Sequence, residues 1–340
     1  MPASPLSAAE TKFPRRPDYI QLYPTFSCNQ RCVFCFNRNL PALKAPSDLT
    51  PETGRLLFDL LSETGISEVD IMGGEPLLVT GMASLVRYAV EHGLRVNLST
   101  NGSLTDALMA FTEVDPERLT IGFSLEGSTA ELHRGQTGAD HFQAVLRSIS
   151  SLHKAGLIPL AKTVVNRETM SDIPRIASLL EDLGIRRYFL IHMDVLSPSP
   201  SQIRNSLSYP EFISFFGEIR QAFPAIEVDV VAASCFDRGS MPRNARCAGG
   251  LKKLAVSPDG SCYPCNLFMG VRSYGLGNIL HDPWDLIWDN PLLHFFRGRA
   301  HNGCPNEACS NRTNCTGGCP AHGHHHFRNP AAPDIRCIRP

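Results

Sequence analysis

From Tyr19 to Ala222 the chain alternates short apolar runs with segments whose apolar residues recur at helical spacing. Tyr19-Ile20-Gln21-Leu22-Tyr23 reads as a first strand stopped by Pro24. Thr50 followed by Pro51 marks a helix start, and Leu56, Leu57, Leu60 and Leu61 continue that helix until Gly65. The same reading predicts strands at Val69–Met72, Arg95–Ser99, Leu119–Ser124, Ile158–Val165 and Tyr188–Met193. Between and after them it predicts helices at Met82–Glu91, Leu104–Phe111, Phe142–Lys154, Ile173–Leu183 and Pro210–Ala222. Six strand–helix units in succession imply an α/β fold of parallel strands joined by right-handed crossovers, as a closed or partly closed barrel or an open doubly wound sheet. Either arrangement gathers ligands at the carboxyl ends of the strands.

From Cys235 onward the pattern fails, and composition takes over as the guide. The 340 residues carry 32 Lys or Arg against 33 Asp or Glu, a net charge of −1, which argues against nucleic acid or an anionic membrane as partner. Hydrophobic residues make up 43%, enough for a buried core in about two domains. Residues 1–18 are Pro-rich and polar without a secretory apolar region, and no run approaches the ~18 apolar residues of a membrane span. A cytoplasmic protein is the expectation. There, clustered cysteines point to metal ligands before disulfides. The 12 cysteines fall as three between positions 28 and 35 and nine between 235 and 337, with none in the 199 residues from Phe36 to Ser234.

The polar loops after the first four predicted strands would share one site. They are Ser27 to Cys35; Gly73-Gly74-Glu75-Pro76; Ser99-Thr100-Asn101-Gly102; and Ser124-Leu125-Glu126-Gly127. Cys28, Cys32 and Cys35, spaced C-x3-C-x2-C, can hold three irons of a [4Fe-4S] cluster and leave the fourth open to a ligand. A zinc site is the alternative, but zinc loops favour paired C-x2-C knuckles, absent here. Gly73 and Gly74 would allow backbone close to a ligand, and Glu75 could accept a hydrogen bond from it. Lys162 is either an inward site residue or an edge charge, and His192 either points into the barrel or is a core histidine with a satisfied partner.

C-x3-C-x2-C after the first strand, with Phe34 before the third cysteine, followed by Gly-Gly-Glu-Pro after the second, resembles the radical S-adenosylmethionine superfamily. The resemblance covers Tyr19 to Met193. It implies a partial (β/α)6 barrel whose open iron chelates S-adenosylmethionine. Reductive cleavage there gives methionine and a 5′-deoxyadenosyl radical that abstracts a substrate hydrogen. It further implies an external reductant such as flavodoxin or ferredoxin, and cofactor contacts from Phe34, Gly73, Gly74, Glu75, Pro76, Ser99, Asn101, Ser124, Glu126 and Arg134.

The distal spacing, Cys247-x12-Gly260-x4-Cys265 and Cys304-x4-Cys309-x5-Cys315-x3-Cys319-x17-Cys337, resembles the SPASM extension with two auxiliary [4Fe-4S] clusters. Four residues separate Cys304 from Cys309 where that family usually has two. The resemblance assigns Cys247, Cys265 and Cys319 to one cluster, with Cys235 or Cys262 as fourth ligand. It assigns Cys304, Cys309, Cys315 and Cys337 to the other. This segment looks poor in apolar residues, so metal would supply much of its folding energy. A zinc ribbon using Cys262, Cys265 and the histidines from His322 to His326, in a non-enzymatic binding module, is the alternative.

The expected division is an extension at 1–18, a barrel at 19–225 and an auxiliary-cluster domain at 226–340. Relatives implied by the resemblance modify peptides, mature sulfatases or act on small cofactors. Asn266 stands where sulfatase-maturing relatives carry an aspartate, which disfavours that activity. Eighteen residues before the first strand are fewer than the roughly 50 of a domain, so a peptide substrate would call for another recognition surface or a separate protein. Phe36, Asn37, Arg38 and Leu196 to Ser206 are the candidate substrate-facing segments. The expected reaction is oxidative crosslinking, through a thioether or carbon–carbon bond, or epimerisation of a peptide, with small-molecule dehydrogenation or rearrangement as the alternative.

Overall fold

The computed structural model describes residues 14–40, 47–237, 245–298 and 306–338. Its strands are β1 (Tyr19–Leu22), β2 (Glu68–Ile71), β3 (Arg95–Thr100), β4 (Leu119–Ser124), β5 (Leu160–Val165), β6 (Arg187–His192), β7 (Glu227–Val231), β8 (Lys253–Val256), β9 (Ser261–Tyr263) and β10 (Gly277–Asn278). Its helices are α1 (Pro51–Glu63), α2 (Met82–Glu91), α3 (Thr105–Met109), α4 (Ala130–Thr137), α5 (Phe142–Lys154), α6 (Ile173–Asp182), α7 (Pro200–Asn205), α8 (Tyr209–Ala222), α9 (Trp284–Trp288), α10 (Leu293–Arg297) and α11 (Pro320–Phe327). Thr50 caps α1 by accepting the Thr53 amide, and Ser208 and Glu211 close a capping box on α8.

One sheet holds all ten strands in the order β10-β9-β8-β1-β2-β3-β4-β5-β6-β7, and it does not close. The strands from β1 to β7 pair in parallel, as their crossover helices require. The six units expected from periodicity are all present. The sheet also runs on past position 225 into β7.

The cysteine-rich segment was expected to be poor in apolar residues, and the structure corrects this. Its strand β8 pairs in parallel with β1, Ile20 opposite Leu254, and β9 and β10 extend the sheet antiparallel. Leu254, Val256, Leu267, Phe268, Met269, Ile287 and Phe296 are buried in the common core. Turns and glycines spread these residues too far apart to show a period, but the sheet edge at β1 collects them.

Strand alternation sorts the two faces. Val69, Ile71, Val96, Leu98, Ile121 and Phe123 are buried in the core, while Asp70, Asn97, Ser99, Gly122 and Lys162 lie on the other face. That polar face and the loops at the carboxyl ends of its strands frame the site.

Candidate radical-chemistry site and cysteine nests

The loop after β1 is fastened to its neighbours by hydrogen bonds of its own. The Gly74 and Glu75 amides donate to the carbonyls of Thr25 and Ser27, each at 2.8 Å, and Asn37 Nδ2 donates to the Gly73 carbonyl at 2.9 Å. Asn101 Nδ2 donates to Asn29 Oδ1 at 2.7 Å, and Asn29 Nδ2 to Ser103 Oγ at 2.9 Å. The Arg31 and Val33 amides donate to carbonyls of Thr137 and Gln136 on α4 and in its last turn, and Gln202 of α7 donates to the Val33 carbonyl. The loops after β1, β2 and β3, with α4 and α7, therefore form one assembly. Cys28, Cys32 and Cys35 are presented at its surface, the first exposed and the others half-buried. Burial, then Glu126 and the thiols of Cys35 and Cys28, push the Cys32 thiol up. Such a trio is held as thiolates only beside a strong positive charge, which is what an iron–sulfur cluster supplies.

The glycine pair has a steric reason. A Cβ on Gly74 would lie 1.9 Å from the Ser27 carbonyl oxygen, and one on Gly73, at φ 137°, 2.5 Å from that of Thr25. The close approach is to the cysteine loop itself. Glu75 is buried and accepts from the Leu77 amide at 3.1 Å, Thr100 Oγ1 at 2.8 Å and the Asn101 amide at 2.7 Å, which ties the β2 loop to the β3 loop. Burial raises its pKa.

Glu126 is buried and its carboxyl accepts from the Val164 amide at 2.9 Å; burial pushes its pKa up to about 8, so the acid is largely protonated at neutral pH. Its own amide donates to His133 Nδ1 at 3.2 Å. Pro76 is buried and opens a short turn, Phe34 and Ser124 are half-buried at the site's rim, and Arg134 is exposed on α4. Ser99 Oγ accepts from Lys162 Nζ at 2.7 Å. Lys162 thus points inward, and it crosses Gly122, where a Cβ would lie 2.4 Å from Lys162 Cε. Burial lowers its pKa, against the pull of Asp70. His192 is the core histidine, bonded through Nε2 to the Leu207 carbonyl at 2.9 Å and stacked on Phe212.

Two nests appear among the distal cysteines. In the inner one, Cys235, Cys247, Cys265 and Cys319 are buried and interact electrostatically. A hydrogen bond from Cys235 holds the Cys319 thiol well below its ordinary pKa, while burial pushes Cys265 up to about 12. Half-buried Lys253 interacts with Tyr19, Cys265, Cys247 and Asp70, which together outweigh burial and raise its pKa. Cys262 lies elsewhere: its charged neighbours are Asp282 and Asp259, and its thiol donates to the Gly260 carbonyl. The outer nest is a cleft lined by Cys309, Cys315 and Cys337 together with Tyr209, Phe236 and Asp334. Cys304 lies outside the described residues.

The histidines serve α11. The Val195 amide donates to His322 Nε2 at 2.9 Å, His326 Nε2 bonds the Val195 carbonyl at 2.7 Å, and His325 Nε2 bonds the Leu267 carbonyl at 3.1 Å. Cys319, His322 and Asp334 converge. His322 nevertheless spends Nε2 on Val195, and its Nδ1 faces Asp334 at 3.3 Å. Sequence reasoning missed this cluster, together with Arg336, because its members become neighbours only when α11 docks.

Comparison with known proteins fits this geometry. The Radical SAM superfamily model matches residues 22–204, and the SPASM iron–sulfur cluster-binding domain model matches residues 247–316. The chain belongs to the radical SAM superfamily and carries a SPASM domain; it is an enzyme that binds [4Fe-4S] clusters and uses S-adenosylmethionine. It is 25% identical to the antilisterial bacteriocin subtilosin biosynthesis protein AlbA of Bacillus subtilis, over 79% of this chain and 59% of that protein. It is 28% identical to the Fe-coproporphyrin III synthase of Methanosarcina barkeri, over 78% of this chain and 71% of that one. The fold matches Streptococcus suis SuiB bound to precursor peptide SuiA with a TM-score of 0.78 at 16% identity, over 94% of this chain and 76% of that one. Among the described residues no helix is long and apolar enough to cross a membrane.

Proposed function

We propose that this radical SAM enzyme abstracts a hydrogen from a peptide or peptide-like substrate, and that the product is a crosslink or an epimer. The observation that carries the reading is the open sheet, whose polar face is bounded by the separate end strands β7 and β10. An extended chain can enter such a face from the side, whereas a closed barrel admits ligands only at its ends. The bacteriocin pathway named for AlbA and the peptide bound to SuiB support the same reading.

In this proposal Cys28, Cys32 and Cys35 hold the first cluster, which supplies the electron that cleaves S-adenosylmethionine. Cys235, Cys247, Cys265 and Cys319 hold the inner auxiliary cluster, and Cys309, Cys315 and Cys337 with Cys304 the outer one. Gly73 to Pro76, packed against the cysteine loop, would border the bound cofactor. Asn101, Ser124 and Arg134 would offer it amide, hydroxyl and guanidinium groups, and Ser99 a hydroxyl oriented by Lys162. Glu126, largely protonated at neutral pH, can donate a hydrogen bond there. An external flavodoxin or ferredoxin supplies electrons, and a separate protein presents the peptide.

The second reading, a small tetrapyrrole substrate, is favoured by the coproporphyrin relative. Anaerobic turnover decides between them. Short peptides encoded beside the gene, deuterated at Cα and in their side chains, should pass deuterium into 5′-deoxyadenosine, read by mass spectrometry. Transfer from coproporphyrin III and from none of the peptides would overturn the proposal.

A further inference from the structure

Arg246 is 1% exposed, and no carboxylate among the described residues reaches its guanidinium. Nη1 donates to the Thr316 carbonyl and, at 3.1 Å, to Thr316 Oγ1; Nη2 donates to the Gly317 carbonyl at 3.2 Å; Nε has no partner. The other arginine buried to this degree, Arg336, is treated differently, with Asp334 at 2.9 Å and Asp194 at 3.2 Å. A buried guanidinium satisfied by neutral acceptors alone carries a heavy desolvation cost. Its charge is left to the groups that the fold sets around it.

Those groups are cysteines. Arg246 directly precedes Cys247 of the inner nest. Thr316 and Gly317, which hold its guanidinium, lie in the three-residue link between Cys315 of the outer nest and Cys319 of the inner one. Thr316 also donates its amide to the Cys235 carbonyl at 2.8 Å, and its one hydroxyl proton is shared between the Arg246 carbonyl at 2.7 Å and the Cys235 carbonyl at 3.1 Å. The guanidinium therefore stands at the junction of both nests. Of the other cations near the inner nest, Lys253 has Asp70 beside it and Arg336 is paired with Asp334 and Asp194.

We infer that Arg246 is the shared counter-ion of the two auxiliary clusters and sets their reduction potentials upward by cancelling thiolate charge. Net charge and hydrogen bonding around a cluster set its potential, and a fixed cation favours the reduced, more negative state. The inference rests on the ligand assignment proposed above.

The test uses the full chain with Cys28, Cys32 and Cys35 replaced by Ala, anaerobically reconstituted, so that only auxiliary clusters contribute. Iron and sulfide counts of about eight each in this parent establish the assignment. Their absence would refute the assignment itself, a failure separate from that of the inference. Potentiometric titration followed by electron paramagnetic resonance should then show a lower auxiliary midpoint in Arg246→Gln and an unchanged one in Arg246→Lys. If Arg246→Gln loses iron, full loading of Arg246→Lys at the parent midpoint sustains the charge role. A fully loaded Arg246→Gln whose midpoint does not fall overturns it. So does an Arg246→Lys that falls as far as Arg246→Gln, or that loses iron with it, since either outcome assigns the residue to hydrogen bonding.

Discussion

Gly74 shows how one missing Cβ sets the site. Gly74→Ala would drive a methyl group into the Ser27 carbonyl, so either the cysteine loop or the β2 loop has to move. We expect it to cost about 2–3 kcal/mol and to lower iron at the first site while leaving the auxiliary clusters loaded. Iron counts and a denaturant titration check both parts. His133 gives a pH signature. Burial pushes its pKa from 6.5 down to about 4, so between those values the unfolded chain binds a proton that the folded one refuses. Stability gained above pH 6.5 is lost as pH falls toward 4, at up to about 1.4 kcal/mol per pH unit. His133→Gln should flatten the fall of unfolding free energy between pH 6.5 and 4, and an unchanged slope would contradict the assignment. Sequence pattern pointed to Gly73, Gly74 and Glu75 but could not say what they touch. It offered two readings each for Lys162 and His192, and three-dimensional neighbours chose between them.

Elements were legible where local chemistry agrees with the final packing. The α1 start at Thr50-Pro51, the glycine stops and the apolar spacing of α2 and α5 reproduce the observed spans because caps and periodicity are encoded within a few residues. Helix α4 escaped notice because its residues, Ala130 to Thr137, are mostly polar and only His133 and Thr137 are buried. Helix α11 depends on distant partners instead. Its base is the buried group of Arg336, Asp334 and His322, and Arg336 holds the Asp334 carboxyl well below its usual range. Asp334→Asn leaves a buried guanidinium half-answered and should cost about 3–5 kcal/mol. Thr50→Ala, which removes only a cap, should cost about 1 kcal/mol. Chemical denaturation of the two variants side by side measures the contrast.

In the whole molecule the cysteine-rich segment and the parallel sheet share one core through the β1–β8 pairing. Loss of the auxiliary clusters should therefore be felt in the sheet. Chelation ought to reduce amide-exchange protection first in β8, β9 and β10, next in β1, and least in β4 and β5, which lie farthest along the sheet among these. Equal loss everywhere would show that metal holds the entire fold. Replacing Cys28, Cys32 and Cys35 together with Ala should abolish dithionite-dependent formation of 5′-deoxyadenosine and leave about eight irons. Persistent cleavage would remove these residues from the chemistry.

Sequence alone determined what depends on local spacing: six strand–helix units, three cysteines on one loop, a glycine pair followed by an acid, and a second cysteine set in the last third. Only tertiary structure decided which distant groups meet. It placed Cys235 with Cys247, Cys265 and Cys319 and turned Cys262 toward Asp259 and Asp282. It set β8 against β1 and brought Arg246 to the backbone between Cys315 and Cys319. Periodicity and capping act over one or two turns of chain, whereas burial, charge pairing and sheet order depend on contacts between segments up to hundreds of residues apart.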